Sequence, residues 1–253
     1  MKSIVLFGAG NVATHLFRAI SNTRNFRVVQ VYNRTPANLV PFQTLVDTTS
    51  KMEEVKPADI YLIAVKDDAI LPLVKELIFR QALVVHTAGA VSIDALENLD
   101  RKGIFYPLQT FSKTKKVDFK NIPICLEATN PQDLELLEEL AGSISEKIFR
   151  INSEQRRSLH VAAVFVSNFV NYLYSEGEAI CKENNIPFEI LHPLILETAV
   201  KATGMSPLAA QTGPAKRNDT QVIQSHLELL TGDQQTIYSL ITQSIQNLHG
   251  KEL

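Results

Sequence analysis

The chain is short of several things, and each shortage narrows its function. It has two cysteines in 253 residues, Cys125 and Cys181, far apart and without a histidine or cysteine cluster beside either. That spacing argues against a disulfide scaffold and a zinc site, and it predicts a reducing, cytoplasmic setting. Excess charge of one sign is missing: 25 Lys and Arg face 27 Asp and Glu, a net charge of −2. Nothing electrostatic therefore recruits nucleic acid. Long apolar runs are missing as well. The run at 4–7 is too short for a secretory leader, and the stretch from Val161 to Tyr174 is broken by Ser167, Asn168 and Asn171, so no membrane span is expected. Internal repeats and low-complexity segments are absent. The remaining composition, 45% hydrophobic and 21% charged, is ordinary for a globular chain of one large domain or two smaller ones.

Strand-like runs occur at 3–7, 27–32, 59–65, 82–86, 103–106, 122–127 and 146–151, with helical stretches at 12–21, 68–79 and 131–142. The region 36–56 is less periodic and predicts a weak helix and a minimal strand. Alternating β and α implies a mostly parallel sheet covered on both faces, with the last two strands extending its edge. After Ile151 the strand signal stops. Ser153 reads as a cap for a helix from 154 to about 184, uninterrupted except at Gly177. Further helices are expected at 188–203, in a short turn at Pro207, at 219–231 and, capped by Asp233, at 233–248. The fold class is thus α/β, a sheet domain over 1–151 followed by an all-α domain over 152–253.

The first strand ends directly in Gly8-Ala9-Gly10-Asn11-Val12-Ala13, a G-x-G-x-x-A turn opening a helix. Gly8 allows the tight turn, Gly10 lets a pyrophosphate approach the bare backbone, and Ala13 lets helix and strand pack closely. The helix N-terminus then aims unpaired N–H groups at the phosphates. The motif in this context predicts a Rossmann-type dinucleotide site. The second strand ends in Asn33-Arg34-Thr35 and lacks the acid that would hold both ribose hydroxyls of NAD. Arg34 can fork onto a 2′-phosphate with Thr35 and Asn33 as neutral donors, which favours NADP(H); the alternative is a solvated loop arginine.

Other polar segments follow the strand ends, where ligands of such sheets bind. Val65 and Lys66 are expected beside the middle of the cofactor, and Ala88-Gly89 permits close backbone approach. His86 and Gln109 are candidate substrate contacts, while Asp67 or Asp68 can simply cap the next helix. On the long helix, α-helical spacing lines His160, Val164, Ser167 and Asn171 on one face with Asn168 at its border. Such a polar stripe marks either a ligand site or a helix–helix contact with satisfied side chains. The loop Gln211–Asp219 offers Lys216 and Arg217 to an anion, or serves only as a connection in which Asp219 caps the next helix.

Taken in order, Gly8–Ala13, Asn33–Thr35, Val65–Asp68, Val85–Gly89, Tyr106–Ser112, His160–Asn168 and Thr212–Asp219 resemble a family that joins a Rossmann-like NADP-binding domain to a helical domain called DUF2520. That family is grouped with the coenzyme F420-dependent NADP reductases. The layout is distantly similar to the superfamily of 6-phosphogluconate dehydrogenase and pyrroline-5-carboxylate reductase. In the β-hydroxyacid branch a Lys and an Asn on the first long helix of the second domain serve the chemistry; His160 and Asn168 hold comparable territory here, without the Lys. The resemblance implies an NADP(H)-dependent oxidoreductase acting on a small polar carbonyl or hydroxy compound bound between two domains, and a homodimer formed through the helical domain. Residues and resemblance together suggest His160 as proton donor, Asn168 orienting the reacting group, and Lys216 or Arg217 anchoring a carboxylate, with Ser167 and Asn171 nearby. Two rivals are a non-catalytic NADP-binding sensor or scaffold and a cyclic imine reductase.

Overall fold

The computed structural model describes residues 1–77 and 81–250. Eight strands form one sheet: β1 (Lys2–Phe7), β2 (Phe26–Tyr32), β3 (Asp47–Thr49), β4 (Ile60–Ile63), β5 (Leu83–His86), β6 (Lys102–Pro107), β7 (Ile124–Ala128) and β8 (Ile148–Arg150). Their spatial order is β3-β2-β1-β4-β5-β6-β7-β8. All neighbours run parallel except β6 and β7, which pair antiparallel with Tyr106 opposite Cys125. The central strands are continuous apolar runs because both faces are covered. Ile4 and Leu6 pack on one side with Ala13, Leu16 and Ile20 of α1 (Asn11–Ile20) and with Leu137 and Leu140. Val5 and Phe7 pack on the other with Ile70, Leu73 and Val74 of α2 (Asp67–Glu76). Leu137 and Leu140 belong to α3 (Pro131–Gly142), capped by the Asn130 side chain.

The expected elements are present, with local differences. The region 36–56 yields two 3₁₀ turns around β3 rather than a regular helix. Residues 78–79 of the run assigned as helix 68–79, and 251–253 of the second domain, lie outside the described residues. No side chain caps α2; Asp67 and Asp68 sit inside its first turn, where they complement the helix dipole. Asn152, not Ser153, caps α4 (Ser153–Ala163), because Gln155 completes a reciprocal capping box with it.

The helix expected to run evenly to residue 184 does not. It widens into a π-helical turn at Val164–Phe169 before α5 (Val170–Glu183). This breaks the regular spacing that would put His160, Ser167 and Asn171 on one straight stripe. Four helices follow: α6 (His192–Gly204), entered through a 3₁₀ turn at Phe188–Leu191, α7 (Pro207–Ala210), α8 (Thr220–Leu229) and α9 (Gly232–His249). Thr231 rather than Asp233 stands at the N-cap position of α9, without a side-chain capping bond, and Asp233 lies in the first turn, where it complements the helix dipole. The chain divides into compact units at Ser167 and Asn168, later than the change from strand to helix at 151. The reason is that α4 is fastened to the sheet. Among the described residues, no helix is long and apolar enough to cross a membrane and no acid, His or Cys group could hold a metal.

Arg156 does the fastening. Its side chain is 1% exposed. It donates to Glu127 on β7, to the Val91 carbonyl after β5 and to Ser153 Oγ in its own helix. Ser153 in turn donates to Glu127 and accepts from the Ile93 N–H. Arg156→Met should leave Glu127 unpaired and cost about 3 kcal/mol, read as a lower urea midpoint. A loss well under about 1 kcal/mol would show that apolar packing alone seats α4.

Candidate functional site

The strand order reverses between β1 and β4, and there the carboxyl ends of β1, β2 and β4 surround a cavity of about 510 Å³. Gly8–Val12, Tyr32–Thr35, Asn38, Ala64–Lys66, Ala69, Leu73 and Thr87 line it. Its two glycines have different reasons. Gly8 has φ +113° and a Cβ there would stand 2.2 Å from the Ala64 carbonyl oxygen, so the fold itself demands glycine. Its N–H donates to Tyr32 O while Ala64 N–H donates to Phe7 O, tying three strand ends together. Gly10 has an ordinary φ of −78°, and among the described residues no atom beyond its chain neighbours lies within 4 Å of where its Cβ would be, so packing there does not require its bareness. No side chain caps α1 and no acid sits in its first turn, so the free N–H groups and positive end of the dipole face an open space that suits a phosphate. Ala13 is fully buried beneath this turn and does not line the cavity; it packs α1 on the sheet.

Arg34 and Thr35 line the cavity and are exposed, and Arg34 makes no ion pair among the described residues. Asn33 spends its amide N–H on the Thr35 carbonyl at 2.9 Å, shaping this turn. Asn11 lines the cavity too, but its side-chain amide donates to the Phe111 carbonyl at 2.7 Å and so holds the loop after β6. Val65 and Lys66 form part of the wall. Tyr32, Asn38, Ala69, Leu73 and Thr87 complete it, though none stands out in the sequence. Tyr32 reads as strand, Ala69 and Leu73 as helix core, and Asn38 lies in the weakly periodic region.

The segment after β5 splits by role. Thr87 reaches the cavity and Ala88 is buried. His86 is fully buried; its Nδ1 accepts from the Ala88 N–H at 3.2 Å and its Nε2 lies 3.3 Å from the Ser92 carbonyl. Burial, opposed by the Ser92 carbonyl and aided by Arg156, pushes its pKa down to about 4. Both ring nitrogens are engaged, so the side chain braces the 87–92 loop from behind. Gly89 backs onto α4: a Cβ there would lie 2.5 Å from His160 Nδ1 and 2.8 Å from Tyr106 Cζ. His160 Nδ1 is 3.1 Å from the Tyr106 hydroxyl. The structure therefore brings His160 together with Gly89 and with Tyr106, which the sequence offers only as the start of the segment Tyr106–Ser112 and not as a site residue.

Gln109 is exposed, its side-chain carbonyl accepting from the Thr110 N–H. Ser167 is half-buried; Asn168 and Asn171 are exposed on the widened helix. In the helical unit, Lys216 donates to the Gln211 carbonyl at 2.9 Å and Arg217 is exposed. Asn218 adopts φ +52° and Asp219 accepts from the Val222 N–H, capping α8.

A parallel sheet with a glycine turn at its switch point, followed by helices, defines a Rossmann-type dinucleotide-binding fold. The model for the domain of unknown function DUF2520 matches residues 122–245. A crystal structure titled "putative NADP oxidoreductase" from Bacteroides fragilis is 40% identical over 97% of this chain and 98% of its own, with a TM-score of 0.88. The chain belongs to that DUF2520-containing family. At the level of fold alone it is similar to an imine reductase from Myxococcus stipitatus in complex with NADP⁺ (17% identity, 98% and 96% coverage, TM-score 0.70). It is likewise similar to 1-pyrroline-5-carboxylate reductase from Streptococcus pyogenes (17%, 98% and 98%, 0.63). No curated protein matches the sequence.

The two glycines should respond differently. Gly8→Ala should destabilise the fold by roughly 2 kcal/mol or more. Gly10→Val should hold the denaturation midpoint within about 1 kcal/mol while abolishing dinucleotide binding. Equal effects of both on stability would refute the distinction. His86 predicts a pH response. Its folded pKa of about 4 lies below the unfolded value near 6.5, so the unfolded chain takes the proton first. Stability should fall as pH drops from about 6.5 to 4, by roughly 3 kcal/mol in total. His86→Gln should flatten that part of the urea-midpoint profile, the carboxylates being unchanged.

Proposed function

We propose that the protein is an NADP(H)-dependent oxidoreductase that passes a hydride to or from a small polar carbonyl or hydroxy compound. The observation that carries this reading is the pairing of Gly10, whose bareness packing among the described residues does not require, with Arg34 and Thr35 on the same cavity wall. The first suits a pyrophosphate and the second a 2′-phosphate on the ribose. Tyr32, Ala69 and Leu73 offer an apolar wall for a flat ring, and Val65, Lys66 and Thr87 continue the cavity toward the segment that backs onto His160. The family relative described as an NADP oxidoreductase supports the same reading.

When bound, the nicotinamide supplies the hydride chemistry. The chain's own residues hold the dinucleotide, orient the reacting group and manage a proton. His160 is the proton donor, half-buried and fixed by its Nδ1 contact. Asn168, Ser167 and Asn171 orient the reacting group, and Lys216 or Arg217 anchors a carboxylate. The working form is a homodimer. Among the described residues from 168 onward, only Cys181, Ala215, Thr242 and His249 are buried, whereas Leu194, Leu196, Val200 and Leu240 are 62%, 67%, 65% and 64% exposed. A helical unit with so little core of its own needs a second copy to cover it.

Calorimetric titration with NADPH and NADH tests the cofactor. NADPH should bind more tightly, and Arg34→Ala should weaken NADPH about 10- to 100-fold while leaving NADH nearly unchanged. Absence of binding by either dinucleotide would defeat the oxidoreductase reading, and NADPH binding without turnover on any carbonyl, hydroxy or imine compound would favour a sensor. Light scattering should give twice the chain mass, reduced to one chain mass by Leu196→Asp with Val200→Asp; a wild-type monomer would exclude the dimer.

A further inference from the structure

We infer that Tyr106 sets the tautomer of His160, so that the histidine carries its proton on Nε2 and presents it away from the sheet-bound phenol. Tyr106, next to last in β6, has 9% of its surface exposed and is packed in a cluster with Ile93, Ile104, Cys125 and Leu159. Its hydroxyl lies 3.1 Å from His160 Nδ1, and that nitrogen is its only hydrogen-bond partner among the described residues. The rings meet edge to face, with centroids 6.2 Å apart and an interplanar angle of 68°.

A phenol in such a place must dispose of one O–H donor. The alternative pairing in the neutral ring, Nδ1–H donating to the phenol oxygen, would leave the Tyr106 proton without an acceptor in a buried setting, which is unfavourable. Burial raises the Tyr106 pKa to about 12, so the hydroxyl keeps its proton at any working pH. The O–H therefore donates to Nδ1, and the neutral imidazole bears its proton on Nε2. The hydroxyl can also turn to accept from Nδ1–H when the ring is a cation. At rest, in both charge states, the ring keeps one orientation with a proton on Nε2, which a phenylalanine could not arrange; an imidazolium that gives up that Nε2 proton passes through the Nδ1–H form, its remaining proton held by the phenol oxygen.

Gly89 makes the contact possible. The loop after β5 presses its bare α-carbon against both rings, since a Cβ would overlap His160 Nδ1 and Tyr106 Cζ. Tyr106 is a positioning residue: it acts through His160. The donor role of Nε2 rests on the oxidoreductase reading above, but the tautomer does not.

Nitrogen-15 NMR of uniformly labelled protein at alkaline pH, where imidazoles are neutral, reads the tautomer directly. The His160 signals are assigned by their absence from His160→Gln. We expect Nε2–H in the wild type and loss of that single-tautomer pattern in Tyr106→Phe and Gly89→Ala. The same samples are titrated with NADPH, whose affinity should change less than about twofold in Tyr106→Phe, because Tyr106 is not part of the cavity wall. A wild-type Nδ1–H tautomer, or an unaltered pattern in folded Tyr106→Phe, would overturn the inference. Nε2–H in a protein that ignores NADPH would uphold the tautomer and remove the oxidoreductase reading instead.

Discussion

One buried guanidinium holds the candidate site in place. Arg156 joins the carboxylate of Glu127 on β7 to the backbone after β5 and to the first turn of its own helix. The apolar contact that α4 adds to the sheet cluster around Ile104 and Tyr106 comes through Leu159, with Ile151 just before the helix. His160 stands one turn further along, so the accuracy of its meeting with Tyr106 and Gly89 is inherited from the Arg156 contacts. A charge this deeply buried is a poor source of net stability, because its desolvation offsets much of its attraction to Glu127. Its value here lies in geometry: a planar fork with several fixed donors specifies an angle that leucine could not.

The cavity beside it shows how a fold and a ligand place separate demands on similar residues. Gly8 is demanded by the chain, because the end of β4 at Ala64 and Val65 crowds it; Gly10 is not, because among the described residues nothing beyond its own neighbours does. The same division runs through the polar residues. Asn11, Asn33 and His86 spend hydrogen bonds on neighbouring loops and give the walls their shape. Arg34 spends none among the described residues and stays available. A residue type that suggests ligand binding thus resolves into scaffold or site only when its partners are counted.

The helical unit is organised by a different constraint. Its helices carry wide apolar faces but bury few of them within one chain. The π-helical turn at Val164–Phe169 itself carries two such side chains, Val166 74% exposed and Phe165 62% exposed. Apolar area of this kind is stable in water when another surface covers it.

Much of this was legible from the residues alone. Continuous apolar runs at Ile4–Phe7 and Ile60–Ile63, the turn Gly8–Ala13 and the acid-free end of β2 establish a parallel sheet with a dinucleotide cavity, because each is a local consequence of period, φ and charge. The same local rules named most of the cavity wall. They missed the π-helical turn, since the apolar pattern across Val164–Phe169 is compatible with an even helix, and they placed caps at Ser153 and Asp233 where Asn152 and Thr231 take that position. Tyr106 lay in a segment the sequence marked, Tyr106–Ser112, but its pairing with His160 was not legible, because that partner is 54 positions away. His86 was visible but undivided: only burial and two loop hydrogen bonds separate a brace from a contact. The sequence by itself determined which elements form and that a phosphate-bearing ligand has a place among them. Tertiary structure alone decided which polar side chains remain free to meet it, because hydrogen-bond capacity is finite and is allotted only when distant segments pack.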